Sequence, residues 1–550
     1  MVAYHADLAL EPAGRTTDVS TQRPGAIIVQ SNALGQGLHW GDYAVMAMYL
    51  VGTLGLGFIF RRRGADTEDY LLGGRRMPWW LTGVSYVASL LSTVSLVALP
   101  GEAFNHGLSV SLASLAEPFC AVATFFLFVR FYFRRKVFTP FTYLEERFDR
   151  RVRAFGSISF FFTRLVYIGL ILFSSARVFE GAAGWSAPVT ITLVGVVAII
   201  YVSMGGLRAE MWSDFFHFIL LVGGVCLIVI LCVARVDGGF SGILHYARQH
   251  DRWFQDFSKP EFYSVDPTTR VTFWLILVSV TREYLFYNSA DQISIQRLLS
   301  TGEYRQAKKS IWFVSALSLP VSAVLWFLGL AVFAYYGQHP VAGAALQGDT
   351  ALFRFVATEM PPFVPGIFLS AMLAAVMSTI DSGLDSLATV VVKDFYVVFV
   401  RPDASERAQV RLSRALVVFF GVLGIGMGLV LAAASSRLQA TLIEAASITM
   451  ALQGIIAPVF LIGVTTRRIV AADILRAVAV SCCVTVAMIV WYLTSQGTSS
   501  PVSFLFVSFP GLICMLVLGY APLVWRRHGR QAAAGLTLWG HRGSEQAPQA

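Results

Sequence analysis

The stretch AMLAAVMSTIDSGLDSLATVVVKD, Ala371 to Asp394, interrupts an apolar helical pattern with hydroxyls and carboxylates. At helical spacing Ala375, Ser378, Thr379, Ser382 and Ser386 share one face. Small residues and hydroxyls on one face allow close packing between membrane helices. Asp381 and Asp385 in the same helix point further, because a carboxylate near a bilayer centre costs roughly 2.5 to 3.5 kcal/mol. That cost calls for a cation, a proton or water as partner.

A second irregular run is PWWLTGVSYVASLLSTVSLVALPGEAFNHG, Pro78 to Gly107. Its centre, Ser92, Thr93 and Ser95, is polar, and Pro100 with Gly101 is expected to end regular helix. A broken membrane helix exposes carbonyls that can hold a monovalent cation, and such backbone is tolerated only where it lines a cavity or binds something. The plainer reading is a serine-containing helix with a proline at its end.

These elements sit in a chain of 550 residues that is 56% hydrophobic and 14% charged, with a mean hydropathy of +0.64. The composition is that of a membrane protein. Apolar stretches of roughly 17 to 25 residues occur about thirteen times. The first is near Tyr43 to Phe60, and the others start near Pro78, Leu108, Phe155, Val189, Phe215, Val271, Ile311, Val364, Ala415, Leu442, Ala471 and Phe504. Basic clusters fall on alternate loops: Arg61 to Arg63 with Arg75 and Arg76, Arg134 to Lys136 with Arg150 and Arg151, Arg305 to Lys309, Arg407 to Arg414, Arg467 and Arg468, and Arg526 to Arg530. Positive loops face the cytoplasm, which predicts the N-terminus outside and the C-terminus inside a plasma (cytoplasmic, inner) membrane. The net charge of +9 is accounted for by these loops, so no nucleic-acid partner is expected.

The six cysteines lie in apolar runs without paired spacing and read as small core residues. The first forty residues lack the apolar core of a cleavable leader, so the first span is expected to remain as an anchor. The longest outer loop, Asp237 to Arg270, reads as a vestibule cap or an ordered loop, and the tail after Arg530 as disordered.

In this order and spacing, GGRRMPWW, PGEAFNHG, YVSMGGLRAEMWSDFFHF, DQISIQRLLST and AAVMSTIDSGLDSLATVVVKDFY resemble the sodium:solute symporter family, from Gly73 to Gly463. The resemblance implies an all-α membrane protein of about 13 transmembrane helices. It also implies a five-plus-five inverted-repeat, LeuT-like core whose first and sixth helices are broken, beginning at Pro78 and Val271. The expected organisation is an outer tail over 1–40, an extra helix over 41–63, the transport core over 78–465, further helices over 470–526 and a cytoplasmic tail over 527–550.

Matched to the family's motifs, the shared sodium site falls on the carbonyls of Ala88, Leu91 and Ala375 and the hydroxyls of Ser378 and Thr379. Five neutral oxygens suit a hard cation and bind it weakly enough for release. A second ion position, found in some members, falls on Asp214, facing Asp381 and Ser382. His217 lies three residues from Asp214 on the same helical side; the pair reads as a proton relay or as a plain hydrogen bond. Family geometry turns Ser92, Ser95 and Glu117, then Tyr284, Tyr287, Asn288 and Asp291, toward the central cavity, with Gln453 facing it too. Leu90 stands where sugar and proline symporters carry a polar residue, and Asp291 replaces a frequent Asn, so neither specificity is implied.

Arg282 and Glu283 lie in mid-span, and Arg164 in another span. An arginine there either pairs with an acid or recognises an anionic group. For Arg164 a structural pair is expected. Adjacent residues on a helix do not face each other, so Arg282 is left with a carboxylate solute, or with Asp291 if unwound backbone brings the two together.

The function this implies is sodium-driven import of a small organic solute by alternating access, with an organic anion such as a monocarboxylate first and a sugar or polyol as the alternative. One sodium ion crossing 100 mV releases about 2.3 kcal/mol, and a tenfold gradient adds about 1.4. Sodium, the solute and the bilayer are the implied partners, with no obligate protein partner evident. A non-transporting nutrient sensor on the same fold is the reading from a different class. An enzyme is not expected: no nucleophile–base pair stands in the spans apart from Asp214 with His217, and no G-x-x-x-x-G-K-[ST] motif is present.

Overall fold

The computed structural model describes residues 38–59, 66–254, 257–341, 346, 348–434, 448–449, 451, 453–495, 502–525 and 535–538. The predicted outer tail, the arginines at 61–63, 526, 527 and 530, most of the predicted C-terminal tail and the beginning of the span expected near Leu442 lie outside them.

The described chain is helical throughout, with no strand. The principal helices are α1 (Trp40–Ile59), α2 (Trp79–Leu90), α3 (Thr93–His106), α4 (Leu112–Arg135), α5 (Arg150–Ala183), α6 (Ala187–Met204), α7 (Leu207–Arg235), the shorter α8 (Gly239–Gln249), α9 (Phe273–Ser289), α10 (Gln292–Ser300) and α11 (Tyr304–Gln338). They continue with α12 (Val364–Val390), α13 (Glu406–Ala434), α14 (Gln453–Thr465), α15 (Ala471–Ser495) and α16 (Phe509–Tyr520). Among the described residues, 10 helices are long and apolar enough to cross a membrane, or 11 when the bent pair α2 and α3 is taken as one span. The expected spans near Val271 and Leu442 correspond to α9 and, within the described residues, to α14.

Two spans are interrupted. The chain bends by 64° between α2 and α3, where Leu91 leaves helical geometry (φ −79°, ψ 87°) and Ser92 caps the second half by accepting from the Ser95 amide at 3.4 Å. The break expected at Pro100 and Gly101 is not there: helix runs through both to His106. A proline need not end a helix that packing holds on both sides, and Gly329 of α11 lets the Pro100 backbone approach closely. The second interruption, at Ala290 and Asp291, separates α9 from α10; Asp291 caps α10 by accepting from the Ser294 amide at 3.1 Å.

The helix quoted first, α12, is the centre of the bundle. Its best apolar window is 94% buried, against 28% for α13 and α15, and it packs most extensively on α7 and α5. A helix enclosed on all sides can carry oxygens only if neighbours answer them. Beyond its end, in the wider helical turn of Val391–Val400, Asp394 is held by Arg153 at 2.5 Å, Thr139 at 2.7 Å and Ser157 at 3.0 Å. The long loop over 237–270 is partly helical, through α8 and a turn at Pro260–Tyr263. Its end is fixed by Arg270, which grips Glu102 of α3 with bonds of 2.5 and 2.8 Å.

The cysteines are free, but only Cys232 is buried and Cys483 is exposed on α15. They are not all core residues, because a lipid-facing surface accepts a thiol as readily as a core does.

A side chain at Gly329 would place its Cβ 2.7 Å from Ala103 Cβ and 2.8 Å from the Pro100 carbonyl carbon. Gly329→Val should therefore separate α3 from α11 and destabilise the protein by about 1 to 3 kcal/mol. Thermal unfolding in detergent checks this, and an unchanged midpoint would contradict the close approach.

Candidate functional site

The polar face of α12 meets the end of α2. Ser378 Oγ donates to the Ala88 carbonyl at 3.2 Å and to the Ala375 carbonyl at 3.2 Å, and Thr379 Oγ1 donates to the same Ala375 carbonyl at 2.9 Å. All four residues are buried. Leu91 stands one turn beyond Ala88, at the point where its ψ carries the carbonyl out of helical direction. Four of the five groups expected around sodium are joined by these bonds, Leu91 lies three residues on at the break, and all five are neutral oxygens. That donor set fits a hard monovalent cation.

One turn along α12 the chemistry changes to full charges. Arg297 of α10 donates from Nε to Ser85 Oγ at 2.8 Å, and from Nη2 to Asp214 Oδ2 at 3.0 Å and to Ser382 Oγ at 2.6 Å. It also pairs with Glu210. Ser85 Oγ donates to Asp214 Oδ2 at 2.5 Å. Arg297 therefore stands between Asp214 and Ser382, two of the groups expected to share a second ion. His217 and Asp214 do not hydrogen-bond to each other; the nearest carboxylates to the imidazole are Asp214 and Asp381. Asp385 is answered by Gln296 at 2.9 Å, as is Ser386 at 3.2 Å.

The predicted solute residues divide into two groups. Arg282, Tyr287 and Gln453 line a small cavity between α9 and α14, together with Glu283, Phe286 and Gly454. Its volume of about 10 Å³ leaves room for little more than one water. The others are engaged in holding helices. Asn288 donates to the Ala121 carbonyl at 3.0 Å and Thr124 at 2.8 Å, and accepts from Tyr86 at 3.4 Å. Asp291 accepts from Arg164 at 3.0 Å and from Ser294 Oγ at 2.7 Å, so the expected structural pair of Arg164 is Asp291 and the Arg282–Asp291 pair does not form. Ser92 accepts from the Tyr167 hydroxyl at 3.2 Å, and Ser95 next to it is half-buried. Tyr284 reaches Glu117 at 3.3 Å, and Tyr287 donates to Glu283 at 2.6 Å.

Sequence reasoning passed over Arg297, Glu210 and Ser85. The signal was present: Glu210 lies four residues before Asp214, and Arg297 follows the second break by a turn and a half in a helix with no exposed face.

The profile of the sodium:solute symporter family matches residues 70–495. The chain belongs to this family. It is a multi-pass membrane protein and a sodium-coupled solute symporter. It is 28% identical over 382 residues to the sodium/sialic acid symporter SiaT of Proteus mirabilis, covering 69% of this chain and 76% of that one. It is 26% identical over 484 residues to the sodium/sialic acid symporter NanT of Aliivibrio fischeri, covering 87% and 92%. The mouse sodium-coupled monocarboxylate transporter 2 is 27% identical over 409 residues, covering 73% of this chain and 65% of that protein. The solved substrate-bound, outward-open state of a Na+-coupled sialic acid symporter superposes with a TM-score of 0.77 at 25% identity, over 88% of this chain and 98% of that one. The all-helical, LeuT-like fold with two broken core helices follows from these likenesses and from the two interruptions.

Arg297 is buried between two acids, so its removal leaves both uncompensated. Arg297→Met should cost on the order of 3 to 5 kcal/mol. The triple change with Glu210→Gln and Asp214→Asn should recover most of the loss. Unfolding midpoints of the two variants decide it: equal losses would show that the charges are not what holds Arg297 in place.

Proposed function

We propose that this protein imports a small organic solute bearing a carboxylate, driven by sodium held at Ala88, Leu91, Ala375, Ser378 and Thr379. The observation that carries the solute class is Arg282, a guanidinium on the wall of the cavity beside the second break, with Tyr287 and Gln453 as polar neighbours. Glu283 shares that wall, but its carboxylate accepts the Tyr287 hydroxyl at 2.6 Å. In a site of low dielectric a guanidinium gives a carboxylate charge-assisted, two-pronged hydrogen bonds. The solutes named for the relatives, sialic acid and monocarboxylates, both carry that group. Asp214, His217, Asp381 and Ser382 provide a second ion position that couples to the first.

In this reading the transport core runs over 78–465, with α1 before it and the helices of 470–526 after it. With the N-terminus outside and the C-terminus in the cytoplasm, an orientation that the basic loops support, uptake runs down the sodium gradient. Closure of the cavity to about the size of one water supports alternating access: a solute can enter only after α9 and α14 part.

Ser378→Ala and Thr379→Ala each remove one hydroxyl ligand without loss of helix propensity. Each should raise the sodium concentration for half-maximal uptake in proteoliposomes several-fold while the protein still folds; an unchanged sodium dependence in both would move the sodium site elsewhere.

Arg282→Gln should abolish uptake of small carboxylates, a loss of at least about a hundredfold for a charge-assisted pair worth roughly 3 kcal/mol. Competition against one confirmed substrate by acetate-like, pyruvate-like and polyol solutes provides the check. Inhibition by neutral polyols alone would end the carboxylate reading and leave a sugar-type solute.

A further inference from the structure

The charged network leaves part of its own chemistry unused. One carboxylate oxygen of Asp214, one of Asp381 and a ring nitrogen of His217 lie within 4.8 Å of one another, where α7 faces α12. All three residues are at least 98% buried. Asp214 gives Oδ2 to Ser85 and Arg297, but its Oδ1 has no hydrogen bond. Asp381 gives Oδ1 to the Ser382 amide at 2.6 Å, but its Oδ2 has none. Neither nitrogen of His217 has a hydrogen-bond partner, and the ring is walled by Tyr49 and Tyr201 at centroid distances of 5.9 and 6.3 Å. A buried imidazole with both nitrogens free is an uncommon arrangement, because each desolvated polar group normally finds a partner.

Charge and donor type say which partner fits. Glu210, Asp214 and Asp381 set three acids against the one guanidinium of Arg297, an excess that a proton or a multivalent cation would answer. Asp385, one turn on, is turned to Gln296 and does not enter the group. An imidazole nitrogen is a poor ligand for sodium and a good one for zinc, cobalt or nickel, and with two carboxylates it offers three of the four ligands that zinc takes.

We propose that Asp214, His217 and Asp381 form a site for one divalent transition-type cation of the zinc or cobalt kind. It is chemically distinct from the neutral-oxygen group at Ser378 and Thr379 one turn away. The proposal deepens the reading of a second ion position by naming its ion. Bound there, the ion would bridge α7 and α12, the helix pair with the most extensive packing.

The test uses the purified full-length chain in detergent, stripped with chelator and titrated with Co2+ and with Zn2+ in sodium-free and sodium-containing buffer. Expected are one Co2+ per chain with the visible bands of nitrogen and oxygen ligation, a raised unfolding midpoint with Zn2+, and affinity weakened by more than about tenfold in His217→Gln and in Asp381→Asn. Absence of Co2+ bands in the unchanged protein overturns the proposal whether or not the variants fold. Thiolate charge-transfer bands, or binding retained in His217→Gln, assign the metal elsewhere and overturn it too. If Co2+ fails to bind while sodium still drives uptake, the divalent site falls and the symport reading stands.

Discussion

A backbone that stops being helical inside a bundle closed to water must find its hydrogen-bond partners in protein. At both interruptions the side chain that caps the following helix is held by one face of α5. Tyr167 reaches Ser92 at the first break at 3.2 Å, and Arg164 reaches Asp291 at the second at 3.0 Å. The two side chains are three residues apart, so a single helix turn positions both. Ser92 and Asp291 then cap the helices that follow them. The neutral-oxygen group and the cavity at Arg282 each depend on one of these breaks, and through them on the same turn of α5.

The opposite side of the site is governed by Arg297. Inside the bundle its charge would be prohibitive without Glu210 and Asp214, and those acids would be equally costly without it. The network explains why α12 tolerates so many oxygens while almost wholly buried. Ser382 answers Arg297, while Asp385 and Ser386 answer Gln296 from the same α10. The polar stripe is therefore read by two partners: its first part by the end of α2, its second by α10.

Some of this was legible in the sequence for a definite reason. Hydroxyls at helical spacing in an apolar run have few explanations, so the face of Ser378 and Thr379 could be read directly, and the order of the motifs gave the fold class. The location of the first break could not. Pro100 is the obvious local signal, yet the chain turns at Leu91 and Ser92, where nothing but a serine cap marks the site, because packing against Gly329 carries helix through the proline. Arg297 was missed because an arginine in SIQRLLS looks like a loop residue until α10 is seen to be buried on every side. Helix starts were placed late for α5, α7 and α11, since each begins with polar turns before its apolar stretch. Arg282 stands out in the sequence as a mid-span cation, but Asp291, on the next helix in sequence, is taken by Arg164 across the bundle. No periodicity within one segment reports such a pairing.

The two breaks also supply a physical route for coupling ion to solute. In the proposed sodium site no single helix provides all the ligands: Ala88 and Leu91 belong to the first broken span and Ser378 and Thr379 to α12, so an ion is fully coordinated only when α2 lies against α12. The first broken span in turn touches the second directly, through Tyr86 of α2 and Asn288 of α9 at 3.4 Å, and α9 carries Arg282 and Tyr287 on the cavity wall. Sodium and solute therefore bias the same arrangement of α2 and α9 from opposite ends. A ligand shifts an equilibrium only by its differential affinity for the two states, so this shared arrangement is where a coupling free energy between the two sites arises. Neutral ligands suit that role better than charged ones. The hydroxyls and carbonyls around sodium bind weakly enough to let α2 leave α12 when the ion does.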